Sequence, residues 1–180
     1  MKRPEVDPIR TKTFKNGRIV EQEKGERPQE YSFRVTVNYG LSIKEAVELG
    51  KYEWANPYIN DKNFPIRGKG KTELDLPLLH FGLPLSTDDV LEETDKIEYR
   101  PTTLQELLAL GAEHPNIQHE FPIVALGSTW KRGENDFNYA PVLCYTIFRY
   151  LGSPVARRCL YLSSTTGNWP GNWRFATVHK

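Results

Sequence analysis

The feature that most constrains the fold is the last apolar run of the chain, Trp173 to Val178, which reads WRFATV. Trp173 and Phe175 fall on one face of a period-two pattern, and Ala176 and Val178 fall on the other. A strand that is apolar on both faces is usually interior to a sheet. The sequence therefore predicts that the C-terminal residues, which are often the loosest part of a domain, are held inside a sheet.

The segment that ends in this run is predicted to be β-rich over residues 121–180. Further apolar runs precede the last strand, at residues 123–126, 140–148 and 158–163. The connections between the runs are short or rich in Gly, Pro and Asn, which is typical of a meander of antiparallel strands.

Upstream of residue 121 the pattern alternates between strands and short helices. Residues 31–39 alternate apolar and polar side chains, which predicts a half-buried strand. Residues 73–81 predict another strand, in which Pro77 indicates an edge or a bulge. The predicted fold class is therefore α+β, with an antiparallel sheet, two to three short helices and the C-terminal strand inside the sheet.

The helix starts are indicated by their capping residues. Ser42 with Glu45, and Thr103 with Glu106, have the spacing of a capping box. A third helix is predicted after Ser86, where acidic residues in the first turn match the helix dipole. Gly111 is the predicted end of the helix that follows Thr103.

The chain is predicted to form one domain after a polar arm. Residues 1–28 have no hydrophobic period and predict a flexible arm, in which Ile19–Val20 is the one candidate for a short edge strand. Residues 29–180 are predicted to be a single α+β domain. Within it, residues 31–54 and 73–99 share the order strand, glycine, capped helix, which either an internal repeat or chance similarity explains.

Composition argues against two kinds of partner. The chain has 24 Lys+Arg and 23 Asp+Glu, a formal net charge of +1, so there is no global drive toward nucleic acid or an anionic membrane. No apolar stretch has the length of a membrane helix, and the N-terminus has no apolar core of a signal peptide. A cytoplasmic location without membrane attachment is therefore expected, and the oligomeric state stays open.

No motif predicts a catalytic, cofactor or metal site. The four histidines lack zinc-ligand spacing, and Ser128 lacks the Gly-x-Ser-x-Gly turn of a hydrolase nucleophile. Cys144 and Cys159 fall in different predicted strands, so one disulfide and two buried thiols are both open. A small enzyme that uses one of these thiols with a histidine is therefore an alternative to a non-catalytic function.

The loop before the last strand has the composition of a recognition surface. Residues 163–173 read SSTTGNWPGNW and include Asn168 and Asn172 as well as Trp169 and Trp173. Tryptophan offers a large, stiff contact area, and asparagine and serine offer adaptable hydrogen bonds. An aromatic face with flanking amides also suits the stacking of a sugar ring.

These residues predict a ligand site anchored by Trp169. Asn168 and Asn172 would supply its polar contacts, and Trp130 and Tyr161 are candidate neighbours. The competing interpretation is that the indole of Trp169 closes the end of the core.

Four motifs carry a resemblance to known proteins. They are residues 50–57 (GKYEWANP), 99–108 (YRPTTLQELL), 121–130 (FPIVALGSTW) and 173–178 (WRFATV). Together they resemble a family of short uncharacterised bacterial proteins from the reduced-genome candidate phyla, for which no activity is established.

A more remote resemblance concerns the fold. Arg100-Pro-Thr before a leucine-rich helix, then Trp130 and a terminal Arg174-Phe, is similar to the pattern of the C-type-lectin-like and formylglycine-generating-enzyme-like folds. The residue order within both motifs departs from that pattern, and the reactive cysteine arrangement of the enzyme branch is not recognisable. The resemblance implies that the segment before the last strand, residues 163–172, presents the binding surface.

The sequence therefore supports three hypotheses. The first is a non-catalytic binding module for a carbohydrate, peptide or protein ligand. The second is the small cysteine enzyme. The third is a nucleic-acid-associated accessory protein that uses the basic residues of the N-terminal arm, which the near-neutral charge does not favour.

Overall fold

A computed structural model describes residues 11–15, 18–22, 29–133, 137–150 and 153–180. The strands are β1 (Thr11–Lys15), β2 (Arg18–Gln22), β3 (Gln29–Asn38), β4 (Trp54–Ala55), β5 (Lys71–His80), β6 (Leu85–Ser86), β7 (Tyr99–Pro101), β8 (Ile123–Val124), β9 (Trp130–Lys131), β10 (Asn138–Tyr150), β11 (Ser153–Ser164), β12 (Asn168–Trp169) and β13 (Arg174–His179). The helices are α1 (Ile43–Gly50), α2 (Thr87–Lys96) and α3 (Leu104–Glu113), and a 3₁₀ turn covers Ile117–His119. The predicted α+β class with short helices is confirmed.

Each α-helix begins at a predicted capping residue. Ser42, Ser86 and Thr103 accept a hydrogen bond from the third backbone N–H of their helices. In each case the acidic side chain at that position accepts from the cap's own N–H, which completes a capping box. Local sequence alone therefore determines where these helices start.

The predicted end of α3 at Gly111 is wrong, because the helix continues to Glu113. Gly111 serves packing rather than termination. A Cβ at this position would lie 2.1 Å from the hydroxyl oxygen of Tyr52 and 3.1 Å from a methyl carbon of Leu143. Pro115, two residues beyond Glu113, limits further extension of the helix.

The main sheet of the described residues has the strand order β3-β5-β13-β8-β10-β11-β4, with β7 paired to β13 and β9 paired to β10. The C-terminal strand β13 lies between β5 and β8, so its predicted interior position is confirmed. Both of its faces are covered, because Phe175 and Ala176 belong to different core clusters.

The predicted antiparallel meander is wrong for β13. This strand pairs antiparallel with β5 and parallel with β8, rather than with β11, which precedes it in sequence. The reason is that β13 is apolar on both faces and therefore takes an interior position. β11 carries Arg157 and Tyr161 on one face, and it pairs with the two-residue strand β4 near the edge of the sheet.

Pro77 lies in an interior strand without a bulge, so the predicted edge or bulge is wrong. β5 pairs with β3 in continuous register through Pro77, and with β13 at Leu78 and Leu79. Beyond Leu78 the side chain of Thr177 donates a hydrogen bond to the Pro77 carbonyl, at 2.9 Å. The proline is thus accommodated where the ladder to β13 ends.

The two faces of the sheet are covered by different elements. On the first face, α1 and α3 pack with the sheet to form the larger core cluster, which includes Ile43, Leu107 and Leu143. On the second face, α2, β6 and β12 form a smaller cluster with the strands, which includes Val90 and Trp169. Because α2, β6 and β12 are short, part of the second face has no layer packed against it.

Part of the predicted N-terminal arm is described. β1 and β2 pair as an antiparallel hairpin, and β2 contains the Ile19–Val20 pair proposed as a short strand. Residues 1–10, 16–17 and 23–28 of the arm lie outside the described residues, so its predicted flexibility stays a prediction. None of the described helices has the length and hydropathy to cross a lipid bilayer.

Candidate binding groove

An open groove lies on the second face of the sheet, where β10, β11 and β4 run beyond the cover of α2 and β12. It has a volume of about 550 Å³, within the range of small-ligand and side-chain pockets. The lining residues are Trp54, Val142, Cys144, Tyr145, Thr146, Arg157, Cys159, Tyr161 and Trp173. Most of the lining surface is apolar.

The floor of the groove follows from the register of β10 and β11. Val142 faces Tyr161, Cys144 faces Cys159, and Thr146 faces Arg157. Directly opposite residues project to the same side of a sheet, and so do alternate residues along a strand. These three pairs therefore share one face, which is continuous with the smaller core cluster through Val142.

Two aromatic side chains form one wall. β4 pairs in parallel with β11, and places Trp54 beside Cys159. The indole of Trp54 lies 6.3 Å from the Tyr161 ring, centroid to centroid. These side chains remain 39% and 45% exposed, so their ring faces are accessible to a ligand.

The segment that carries Trp54 is fixed by Arg158. The backbone N–H of Glu53 donates to the Arg158 carbonyl, and the Glu53 carboxylate accepts from the Arg158 N–H. The Arg158 guanidinium donates to the carbonyls of Gly50 and Gly111 and lies over the ring of Tyr52. This network attaches the start of β4 both to β11 and to the end of α1.

The tryptophan of the C-terminal loop that reaches the groove is Trp173, which is half-buried. Its ring lies 5.4 Å from that of Trp169. Trp173 was assigned to the last strand by sequence, yet β13 begins one residue later, at Arg174. The groove therefore ends against the last residue of the loop.

Trp169 lies in the core rather than on the surface. Its side chain is 3% exposed, packs edge-on to Phe175, and donates from Nε1 to the hydroxyl of Thr87 at 2.9 Å. Of the two interpretations left open for Trp169, the structure supports the one in which its indole closes the end of the core, and not the exposed anchor. The physical reason is that β12 pairs with β6, which closes the loop over the smaller core cluster.

The other predicted site residues are dispersed. Trp130 packs against the larger core cluster, on the opposite face of the sheet, and stacks on Tyr58 with ring centroids 4.9 Å apart. Asn168 and Asn172 are exposed at the loop surface. Of the predicted set only Tyr161 lines the groove.

Sequence reasoning missed Trp54 and Trp173 as groove residues. Trp54 lies in an aromatic, proline-containing segment whose partner strand is more than 100 residues away in sequence, so no local pattern reports its position. Trp173 continues the alternating pattern of apolar residues in β13, and this pattern favoured a position in the core.

The two cysteines lie side by side on the groove floor as free thiols. Burial, together with the neighbouring Cys159, raises the pKa of the Cys144 thiol to about 12. Burial also raises the pKa of the Cys159 thiol, although the nearby Arg157 opposes this shift. Both groups are thus protonated at neutral pH.

The histidines make contacts elsewhere. His80 bonds to the Gly171 carbonyl, His114 bonds to the Arg34 carbonyl, and His119 stacks on Tyr145. His179 packs edge-on to a tyrosine of β7. In the part of the chain that the structure describes, no group of three or more His, Cys, Asp or Glu side chains is arranged to hold a metal ion.

No protein-family model, curated protein or solved structure matches this chain. The resemblances to short bacterial proteins and to C-type-lectin-like folds therefore stay predictions.

Proposed function

We propose that this protein is a non-catalytic binding module whose groove receives an apolar or aromatic segment of a peptide or protein. The observation that carries the proposal is the uncovered part of the second sheet face, where the rings of Trp54, Tyr161 and Trp173 surround a cavity of about 550 Å³. Aromatic side chains around a desolvated pocket are the usual anchors of protein recognition.

The chemistry of the lining favours a peptide side chain over a carbohydrate. The lining of the groove includes four aromatic residues and the floor residue Val142, but its polar side-chain groups are few, chiefly those of Thr146 and Arg157. A sugar carries many hydroxyls, and each buried hydroxyl without a partner costs about 1–3 kcal/mol. An apolar side chain has no such requirement and gains from the loss of exposed surface.

The exposed asparagines supply polar contacts at the rim in this proposal. Asn172 directly precedes Trp173, so a ligand backbone that leaves the groove at this end meets the loop. The loop holds its shape through two bonds from Thr165 to the Asn138 carbonyl. Gly171 packs so closely that a Cβ would lie 2.8 Å from the backbone of Leu83. A loop held in this way loses little entropy on binding.

The chemistry of the thiols argues against the cysteine-enzyme alternative. Nucleophilic catalysis needs a thiolate, which forms next to a cation, a histidine or a helix N-terminus. Here burial raises the pKa of both thiols. The nucleic-acid alternative depends on the arm, much of which lies outside the described residues.

Selection from a random peptide library displayed on phage tests the proposal. The full chain is the bait, and the enriched peptides are synthesised and measured by isothermal titration. We expect sequences with one or more aromatic or large aliphatic residues, and dissociation constants that rise at least tenfold for Tyr161→Ser and Trp54→Ala. The matched control is Tyr31→Ser: Tyr31 is also an exposed strand tyrosine, 53% exposed, but it lies in β3 at the other end of the sheet.

Two outcomes would contradict the proposal. Enriched peptides that bind the Tyr161→Ser variant as tightly as the wild type would place the contact outside the groove. Failure of all peptides, together with binding on a glycan array that Tyr161→Ser abolishes, would assign the groove to carbohydrate instead.

A further inference from the structure

We propose that Cys144 and Cys159 together form a two-thiol site for a soft monovalent metal ion of the Cu(I) class. This inference goes beyond the proposed function. Soft thiolate ligands favour Cu(I) over the hard cations that prefer oxygen. Two thiols on adjacent strands, at the floor of an open groove, supply a preformed pair of such ligands.

The two cysteines are neighbours on one face of the sheet. The cysteines are direct partners in the β10–β11 register, and opposite residues share a face of the sheet. Cys159 Sγ donates a hydrogen bond to the Arg157 carbonyl at 3.6 Å. A metal ion that binds both sulfurs would replace this weak S–H bond without a rearrangement of the strands.

The hydrogen-bond pattern favours a bridging ion over a disulfide. The carbonyls of Arg158 and Leu160 accept from the β4 segment, at the N–H groups of Glu53 and Asn56. Carbonyls alternate along a strand, so the Cys159 carbonyl points toward β10 and the cysteines form a hydrogen-bonded pair.

The spacing of such a pair suits a bridging ion. The Cβ atoms of opposite residues lie about 4.5–5.5 Å apart, toward the longer end at hydrogen-bonded pairs. A disulfide needs about 3.5–4.5 Å between the Cβ atoms. Two metal–sulfur bonds of about 2.3 Å, the zinc–thiolate length, span the wider gap.

The number of available ligands also favours this ion. Binding would convert two thiols to thiolates and release two protons, which leaves a metal site of net charge −1. Burial and the Glu53 carboxylate raise the pKa of the Cys159 thiol, and Arg157, which lines the same groove, partly offsets them. A divalent ion with two thiolates would be neutral, but Zn²⁺ requires four ligands. In the part of the chain that the structure describes, no cluster supplies even three.

Access to the site is open from one side. Cys144 is half-buried, and the groove above both sulfurs is lined by Trp54 and Trp173. Because these indoles lie close to the thiols, quenching of tryptophan fluorescence is a direct signal of metal binding.

The test is an anaerobic titration of the reduced full chain with Cu(I) in competition with bicinchoninate. We expect one Cu(I) per chain, quenched tryptophan fluorescence, and a loss of affinity of at least a hundredfold in both Cys144→Ser and Cys159→Ser. Thr146→Ser, on the same groove face, is the matched control and should bind as the wild type does. The assay contains no peptide, so its result is independent of the proposed function.

Proton release provides a second measurement that needs no variant. Two protons per Cu(I) should appear in a weakly buffered solution, and the affinity of the wild type should rise roughly a hundredfold per pH unit between pH 6 and 8. The proposal is overturned by the absence of one-to-one binding, or by single variants that bind as tightly as the wild type. It is also overturned if both free thiols are lost after the metal is removed, because this would mean that the cysteines form a disulfide instead.

Discussion

Replacement of Trp169 by alanine should be one of the most destabilising single changes in this chain. The indole is 3% exposed and packs among Leu85, Val124 and Phe175. A buried tryptophan removes about 200 Å² from water, which at about 25 cal/mol per Å² corresponds to about 5 kcal/mol. Alanine retains part of this, and tryptophan-to-alanine changes in cores typically cost about 3–5 kcal/mol. We therefore expect Trp169→Ala to lower the free energy of unfolding by about 4 kcal/mol.

The assay is equilibrium unfolding in urea, followed by far-UV circular dichroism. Trp54→Ala is the matched control: that indole is 39% exposed at the groove wall, so its loss should cost less than about 1.5 kcal/mol. Thr87→Val removes the hydroxyl that accepts from Trp169 Nε1 and donates to the Thr165 carbonyl, and should cost about 2 kcal/mol. A Trp169→Ala protein as stable as the wild type, yet unable to bind the selected peptides, would refute this reasoning and restore Trp169 as an exposed anchor.

Three further predictions address the rest of the fold. Gly111→Ala should destabilise the protein by about 1–3 kcal/mol, because its Cβ would meet the Tyr52 hydroxyl at 2.1 Å; addition of Tyr52→Phe should recover part of the loss in a double-mutant cycle, and strict additivity would count against the packing argument. Burial raises the pKa of Glu106, but hydrogen bonds from Arg100 and the Thr103 backbone outweigh it and hold the net pKa below 4.5. The resulting stabilisation is therefore full above pH 4.5 and is lost as the pH falls through the folded-state pKa of Glu106. Free energies of unfolding measured against pH should differ between the wild type and Glu106→Gln at pH 7 and converge in acid. Deletion of residues 175–180 should abolish cooperative unfolding, since it removes most of the interior strand β13; a truncated chain with an unchanged melting curve would contradict this topology.

The low folded-state pKa of Glu106 has a clear structural origin. Its carboxylate is 1% exposed and accepts two hydrogen bonds from the Arg100 guanidinium, at 3.0 and 2.8 Å. It also accepts from the Thr103 backbone and the Tyr39 hydroxyl. The capping box of α3 is thus also the buried end of an ion pair. Burial, together with the hydrogen bond to the same carboxylate, raises the pKa of Tyr39 to about 12.

The sequence predicted those features of the structure that depend on interactions between residues close together in the chain. All three helix starts follow from a hydroxyl and an acid three residues apart. The alternation in residues 31–39 gives the strand β3, with Val35 and Val37 buried. The interior position of the last strand follows from apolar residues on both of its faces.

The candidate site was only partly readable, because its members are brought together by pairings between distant segments. Tyr161 was expected near a ligand and lines the groove, and stays a predicted ligand contact. Trp54 joins it through a parallel pairing of two residues. In the loop, Trp169, which the sequence left open, is buried, and Trp173, which the sequence assigned to the last strand, lines the groove. The decisive contact is the pairing of β12 with β6, which carries Trp169 inward and leaves Trp173 at the groove.

The helix starts, the class of fold and the anchorage of the C-terminus follow from local sequence, because they depend on hydrogen bonds and periodicities within a few residues. The uncovered part of the sheet, the indole that faces it and the side-by-side position of Cys144 and Cys159 follow instead from the arrangement of distant strands. These properties depend on strand order and register, and those are fixed by the burial of both sheet faces at once rather than by any local segment.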